Sequence, residues 1–157
     1  MRKSAVIYYS QTGITKAVAD KLAERYASDV HAIKTKEAYK GYLGAIIRAG
    51  KEMLKKETVE ITTPAADLSG VEVVFVGYPI WYGDMPVFVK DYLEKCNIRD
   101  RIVVPFATSG ASGIDKSVKT LRRIAPKARV RRPFVTSKAK KGDMERWLED
   151  LDVHMNS

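Results

Sequence analysis

The run from Val71 to Gly77 constrains this chain more than any other segment. Val71, Val73, Val74, Phe75 and Val76 leave Glu72 as its one polar residue, so the run has no solvent face. That is the pattern of a strand inside a parallel sheet with helices on both sides. Parallel neighbours cannot be joined by a tight hairpin, so helical crossovers must lie between the strands. The chain supplies them. Strand-like runs at Ser4–Tyr9, Val30–Lys34, Val71–Gly77, Arg101–Ala107 and Arg129–Val135 alternate with segments of helical spacing. The first such segment carries Ala17, Leu22, Ala23 and Tyr26, and the second carries Tyr39, Leu43, Ile46, Ile47, Gly50 and Leu54. Val87–Cys96, Asp115–Ile124 ahead of Pro126, and a last segment with Met144, Trp147, Leu148 and Leu151 complete the series. The expected fold is α/β: a doubly wound, five-stranded parallel sheet of order 2-1-3-4-5, with right-handed crossovers and helices on both faces. With no internal repeat, low-complexity tract or linker, residues 1–157 read as one domain, long enough to bury its own core.

In a sheet wound this way, ligands sit at the carboxyl ends of the strands where the strand order reverses, so the loops after the first, third and fourth strands are the candidate site. The first loop, Ser10-Gln11-Thr12-Gly13-Ile14-Thr15, leads straight into a helix. Its hydroxyls and successive backbone amides at a helix N-terminus form a cradle for a phosphate, and the helix dipole favours an anion there. The loop lacks the Gly-Lys-Ser/Thr ending of a Walker loop and the glycine spacing of a dinucleotide site, which disfavours nucleoside triphosphates and NAD. An ordinary helix cap would use the same residues. The second loop, Gly77-Tyr78-Pro79-Ile80-Trp81-Tyr82-Gly83-Asp84-Met85-Pro86, places two aromatics and two glycines at a strand exit. Trp81 and Tyr82 offer faces on which a planar π-system stacks, and Gly83 allows close approach to its edge. Either ring could equally be core. The third loop, Thr108-Ser109-Gly110-Ala111-Ser112-Gly113, has small residues whose amides can reach a ring carbonyl. Alone it reads as a Gly-Ser turn. Together the three describe a site for a mononucleotide with an aromatic ring.

The first loop, following the strand Val6-Ile7-Tyr8-Tyr9, resembles the flavodoxin signature, in which an S/T-x-T-G-x-T loop wraps the phosphate of FMN. The later loops are similar to those of short bacterial and archaeal flavodoxin-like flavoproteins, and the resemblance runs to about Pro126. It implies a non-covalently bound FMN cofactor. It implies that Ser10, Thr12, Gly13, Ile14 and Thr15 hold the phosphate, with Gln11 in the same loop. Trp81 and Tyr82 would lie beside the flavin with Pro79, Ile80 and Gly83, and Thr108, Ser109, Gly110, Ala111, Ser112 and Gly113 would face its pyrimidine side. Electron-transfer flavodoxins usually carry an aromatic after the fourth strand, and this loop has none, so one flavin face is expected to be open.

The expected function is that of an FMN electron carrier, with no catalytic residue in the protein. Two alternatives stand beside it: an NAD(P)H- or quinone-dependent flavin reductase on the same fold, and a basic module that binds nucleic acid or an acidic protein. The formal net charge is +9, and eleven Lys or Arg fall between Lys116 and Lys141 with no Asp or Glu. Such a face suits redox partners with an acidic docking surface. It lacks interleaved aromatics apart from Phe134, which disfavours nucleic acid. The lone Cys96 forms no intramolecular disulfide, and no Cys/His spacing reads as a metal site. Met1-Arg2-Lys3-Ser4 runs into an apolar stretch too short for a signal peptide or a membrane span. A cytoplasmic protein without membrane attachment is expected.

Overall fold

The computed structural model describes residues 1–55, 58–109, 113–136 and 141–157. The elements follow the expected alternation. They are β1 (Ser4–Tyr8), α1 (Ile14–Tyr26), β2 (Asp29–Ala32), α2 (Tyr42–Lys55), β3 (Val73–Pro79), α3 (Val87–Lys95), β4 (Ile102–Thr108), α4 (Asp115–Ile124), β5 (Arg129–Val130), β6 (Phe134–Thr136) and α5 (Lys141–Asn156). The sheet runs β2-β1-β3-β4-β5, with β6 also paired to β4 and every pairing parallel.

Side chains alternate across each strand, so the sheet feeds two cores. On one face Val6, Phe75, Val104 and Phe106 pack against Leu22 and Tyr26 of α1 and against Trp147, Leu148 and Leu151 of α5. On the other, Ile7, Val74, Val76 and Tyr78 meet Phe88 and Leu93 of α3 and Leu121 of α4. β3 is buried along its whole length. Gly77 in its middle is dictated by packing: a Cβ there would sit 2.2 Å from the ring of Phe106, which lies across it from β4.

Two elements differ from the expectation. The single last strand, Arg129–Val135, is two short ones. Val103 pairs with Val130 but Phe106 with Phe134, so the edge holds one residue more than β4 across the gap. The carbonyl of Val103 accepts from the Arg131 amide at 2.9 Å. In the alternating ladder of a parallel strand, Pro105 turns its nitrogen to the same edge and has no hydrogen to donate. The pairing breaks there, Pro133 sits in the break, and the extra residue forms a bulge. The second difference is at α2. Tyr39 does not belong to it, because Gly41 adopts φ +65° just before the helix, a conformation no helix interior accepts.

Candidate functional site

β1 ends at Tyr8, and the amide of the next residue, Tyr9, donates to the Gly77 carbonyl at 3.0 Å. The chain then turns tightly. The Gly13 amide donates to Ser10 Oγ at 3.1 Å, and Gly13 adopts φ +90° with open space where a Cβ would be. No side chain caps α1, and no acidic residue stands in its first turn. The amides of Ile14, Thr15 and Lys16 meet no acceptor among the described residues. Unpartnered first-turn amides at the positive end of a helix dipole are what an anion requires, so the structure fits a phosphate at this point.

The other loops are tied to that cradle. Thr15 is buried, and its Oγ1 lies 2.7 Å from Thr108 Oγ1 at the end of β4. The Ile80 amide donates to the Thr108 carbonyl at 2.8 Å. β3 extends through Pro79, so Pro79 belongs to the strand and Ile80 begins the exit. Trp81 and Asp84 then exchange backbone hydrogen bonds at 2.8 and 3.2 Å around Tyr82 (φ +53°) and Gly83 (φ +78°). Positive φ at both central residues makes this a type I′ turn. Glycine adopts that conformation freely, whereas tyrosine is strained in it.

Side chains from distant elements hold the turn. Tyr82 Oη donates to the Ile46 carbonyl of α2 at 2.7 Å, and its ring passes over Gly50, where a Cβ would come within 2.5 Å of the hydroxyl. Asp84 accepts from Thr120 Oγ1 of α4 at 2.9 Å and from the Met85 amide at 2.8 Å. Beneath the turn, Tyr78 Oη and Ser117 Oγ are 2.9 Å apart, and Ser117 Oγ donates to the Ile114 carbonyl at 2.7 Å. Burial raises the Tyr78 phenol.

The two expected stacking rings separate sharply. Trp81 is 4% exposed and packs edge-on to Tyr9 and Phe88 and tilted against Tyr39, with an indole nitrogen that meets no acceptor among the described residues. Tyr82 is 49% exposed. Tyr9, Tyr39 and Phe88 therefore form a core cluster with Trp81 beneath the β3 exit. Nothing local marked them: Tyr39 comes from thirty residues beyond Tyr9, and their meeting depends on Gln11. Tyr9 Oη donates to Gln11 Oε1 at 2.5 Å, while Gln11 Nε2 donates to the Tyr39 carbonyl at 3.1 Å. Tyr39 Oη in turn donates to the buried Glu52 at 2.6 Å, and the Arg48 guanidinium stacks 3.9 Å over its ring. Burial pushes the Tyr9 phenol up to about 12 and, with the Glu52 hydrogen bond, raises Tyr39 as well. Both stay protonated at neutral pH.

Ser109 is buried, and its amide donates to the Thr136 carbonyl at 3.1 Å; Gly113 is exposed. Gly110, Ala111 and Ser112 lie outside the described residues. A groove of about 500 Å³ flanks the first loop on its β2 side, bordered by Ser10, Gln11, Lys16, Lys34 and Tyr39, and among the described residues its lining includes none of 79–83, Thr108, Ser109 or Gly113. Among the described residues no cluster of His, Cys, Asp or Glu is placed to hold a metal, and no helix is long and apolar enough to cross a membrane. Cys96 is buried against the Ala66 amide, and burial pushes its thiol up.

A doubly wound sheet with an open amide cradle after β1, joined through Thr108 to the exits of β3 and β4, defines a mononucleotide-type site at the switch point of the strand order. Residues 3–151 match the family model for flavodoxin, and the chain belongs to that family. A protein from Bacteroides eggerthii DSM 20697, designated a flavoprotein, has a crystal structure that is 28% identical in sequence, covers 96% of this chain and 98% of its own, and superposes with a TM-score of 0.80. A second, from Bacteroides uniformis ATCC 8492, shares 24% identity over 94% and 98% at a TM-score of 0.81. The flavoprotein of Lactobacillus acidophilus NCFM, solved in complex with FMN, shares 20% over 94% and 99% at 0.74 and has the same fold. No curated protein matches the sequence.

Proposed function

We propose that this chain is an electron-transfer flavoprotein that holds FMN at the three loops and exchanges electrons with other proteins through it. Membership of the flavodoxin family makes FMN the cofactor. Ser10, Thr12, Gly13, Ile14 and Thr15 would hold its phosphate, with Tyr82 and the Thr108–Gly113 loop beside its ring. Bound there, FMN supplies the redox chemistry, and the protein supplies position and electrostatics.

The observation that carries the carrier reading is that the carboxylate and the buried phenols nearest the three loops are already engaged. The Asp84 carboxylate is taken up by Thr120 and the Met85 amide. The phenols of Tyr9, Tyr39 and Tyr78 are raised by burial. Apart from Lys116 at the rim, what remains free to act on a ligand is backbone amide, hydroxyl and aromatic surface, which bind and orient. A flavin reductase is the second reading, favoured by the sequence Thr108 to Gly113, which supplies no aromatic residue to compete with a second planar substrate for the flavin.

One absorbance experiment separates them. The protein is titrated with FMN and then given NADPH without oxygen. Tight binding with unbleached flavin bands is the expected result. Rapid bleaching would establish the reductase, and failure to bind FMN would remove both readings.

A further inference from the structure

A run of exposed cations lies along α4, beginning one residue after Asp115, and continues into the turn after it. Lys116, Lys119, Arg122 and Arg123 are all exposed. Their spacing of three and four residues places them on one side of the helix, away from the buried Ser117, Val118, Thr120 and Leu121. Lys127 and Arg129, also exposed, continue the band. Among the described residues none of these six neighbouring cations has an ion-pair partner; unpaired lysines such as Lys21, Lys40 and Lys55 occur elsewhere, but not in such a run. A band of unpaired like charge repels itself and weakens the fold, so its presence calls for an external countercharge.

Where the band begins is the second observation. Lys116 Cδ lies 3.9 Å from the Cβ position of Gly83, and Thr120 on the same helix holds Asp84. The cationic face therefore starts against the Trp81–Asp84 turn, at the rim of the site. From there the α4 cations, Lys116 to Arg123, carry it about 10 Å along the surface, at about 1.5 Å of rise per residue.

We infer that this face is the docking surface of an acidic one-electron redox protein, which exchanges electrons with the flavin across the Tyr82–Gly83 turn. One centre is oxidised as the other is reduced, and no atom is transferred. The inference rests on the FMN carrier reading. A second copy of this chain is a poor occupant because a net charge of +9 repels its like. A nucleic acid is disfavoured because the one aromatic between Lys116 and Lys141, Phe134, is buried, leaving no ring in the band on which a base could stack.

The test compares two charge reversals of equal size in the full chain: K116E/K119E/R122E on the face, and K21E/K40E/K55E at exposed lysines elsewhere. The probe is a small acidic [2Fe–2S] ferredoxin, with binding followed by interferometry and electron exchange by stopped flow. Wild-type protein is expected to bind it with an affinity that falls steeply with salt. The face variant should bind on the order of tenfold more weakly at low ionic strength, with a matching loss of exchange rate, because steering by a charged face acts mainly on association. The control variant should lose no more than about a quarter of that effect on a logarithmic scale. Equal losses in the two variants would overturn the inference, since net charge alone would then account for binding. Displacement of the ferredoxin by a short DNA duplex that stays bound at physiological salt would also overturn it and assign the face to nucleic acid. Flavin retention is read separately from absorbance. Ferredoxin bound by a protein that retains no flavin would overturn the electron-transfer role while leaving the contact, and absence of salt-dependent binding by a flavin-loaded protein would overturn the docking surface alone.

Discussion

The loops after β1 and β3 leave the same edge of the sheet but are held by opposite means. The β1 loop is shaped by its own backbone: Ser10 closes on the Gly13 amide, and the first-turn amides of α1 are left open. The β3 loop is shaped by side chains that reach away from it, Tyr82 to α2 and Asp84 to α4, until little of it remains unengaged. One loop is built to receive a ligand. The other transmits to the ligand the positions of two helices. A change in the first should alter affinity more than stability, and a change under the second should do the reverse.

The largest effect is expected where both loops share a footing. Gly77 accepts the Tyr9 amide and lies under the Phe106 ring. Gly77→Ala would force a methyl group to within 2.2 Å of ring atoms that have no room to retreat in a filled core. Overpacking of this kind should cost about 3 kcal/mol, read as a drop in the urea midpoint. An unchanged midpoint would mean that Phe106 can swing aside.

Thr120→Val tests the anchoring of the β3 loop. It keeps the volume of the side chain and removes the hydroxyl that donates to Asp84. A hydrogen bond to a charged acceptor is worth about 2 kcal/mol, so a stability loss of that order is expected, with FMN affinity changed by less than about threefold. A collapse of affinity with stability intact would reverse the assignment of the two loops.

This contrast also decides what the sequence could show. The β1 loop is local, so Ser10, Thr12, Gly13 and Thr15 stand in one readable motif and end up in one place. Strand order followed from the apolar run at β3 and the helical segments between strands, because parallel pairing leaves few ways to connect them. The β3 loop was readable as aromatic and glycine-bearing, but not the fate of its rings. Trp81 goes into the core with Tyr9, Tyr39 and Phe88, and only the folded chain brings these together. Likewise, the pairing of Asp84 with Thr120 joins residues 36 apart and leaves no periodic trace. The split of the last strand could have been suspected from Pro105 and Pro133, yet it depends on which edge Pro105 turns towards, which is a property of the ladder.

Gly13→Ala addresses the β1 loop. Space for the methyl group is open, so the strain comes from φ +90° alone and should cost about 1 kcal/mol. If the backbone shifts to relieve that strain, the amides of Ile14 and Thr15 turn from their common focus. FMN should then bind about tenfold more weakly, a change of about 1.4 kcal/mol, measured by quenching of flavin fluorescence. An affinity equal to wild type would show that the cradle does not depend on the turn.

The two ends of α1 carry the same contrast within one helix. Its N-terminus is left open, while its C-terminus is fastened to α5: Arg25 and Tyr26 both donate to Asp152, the latter at 2.8 Å. The Arg25 hydrogen bond, helped by Tyr26, holds the Asp152 carboxyl below its usual value of 3.8. A group depressed on folding stabilises the fold fully above its unfolded pKa and loses that contribution as pH falls through the folded one. Asp152→Asn should therefore weaken the protein slightly at neutral pH and flatten the fall in melting temperature on acidification below about 3.8. The effect is the smallest of the four, since the pair is more than a third exposed and water screens it. FMN affinity should not change, because the fastening lies at the far end of the helix from the cradle. A loss of affinity in this variant would mean that α1 moves as a rigid rod on α5, and that the openness of its N-terminus depends on how firmly the other end is held.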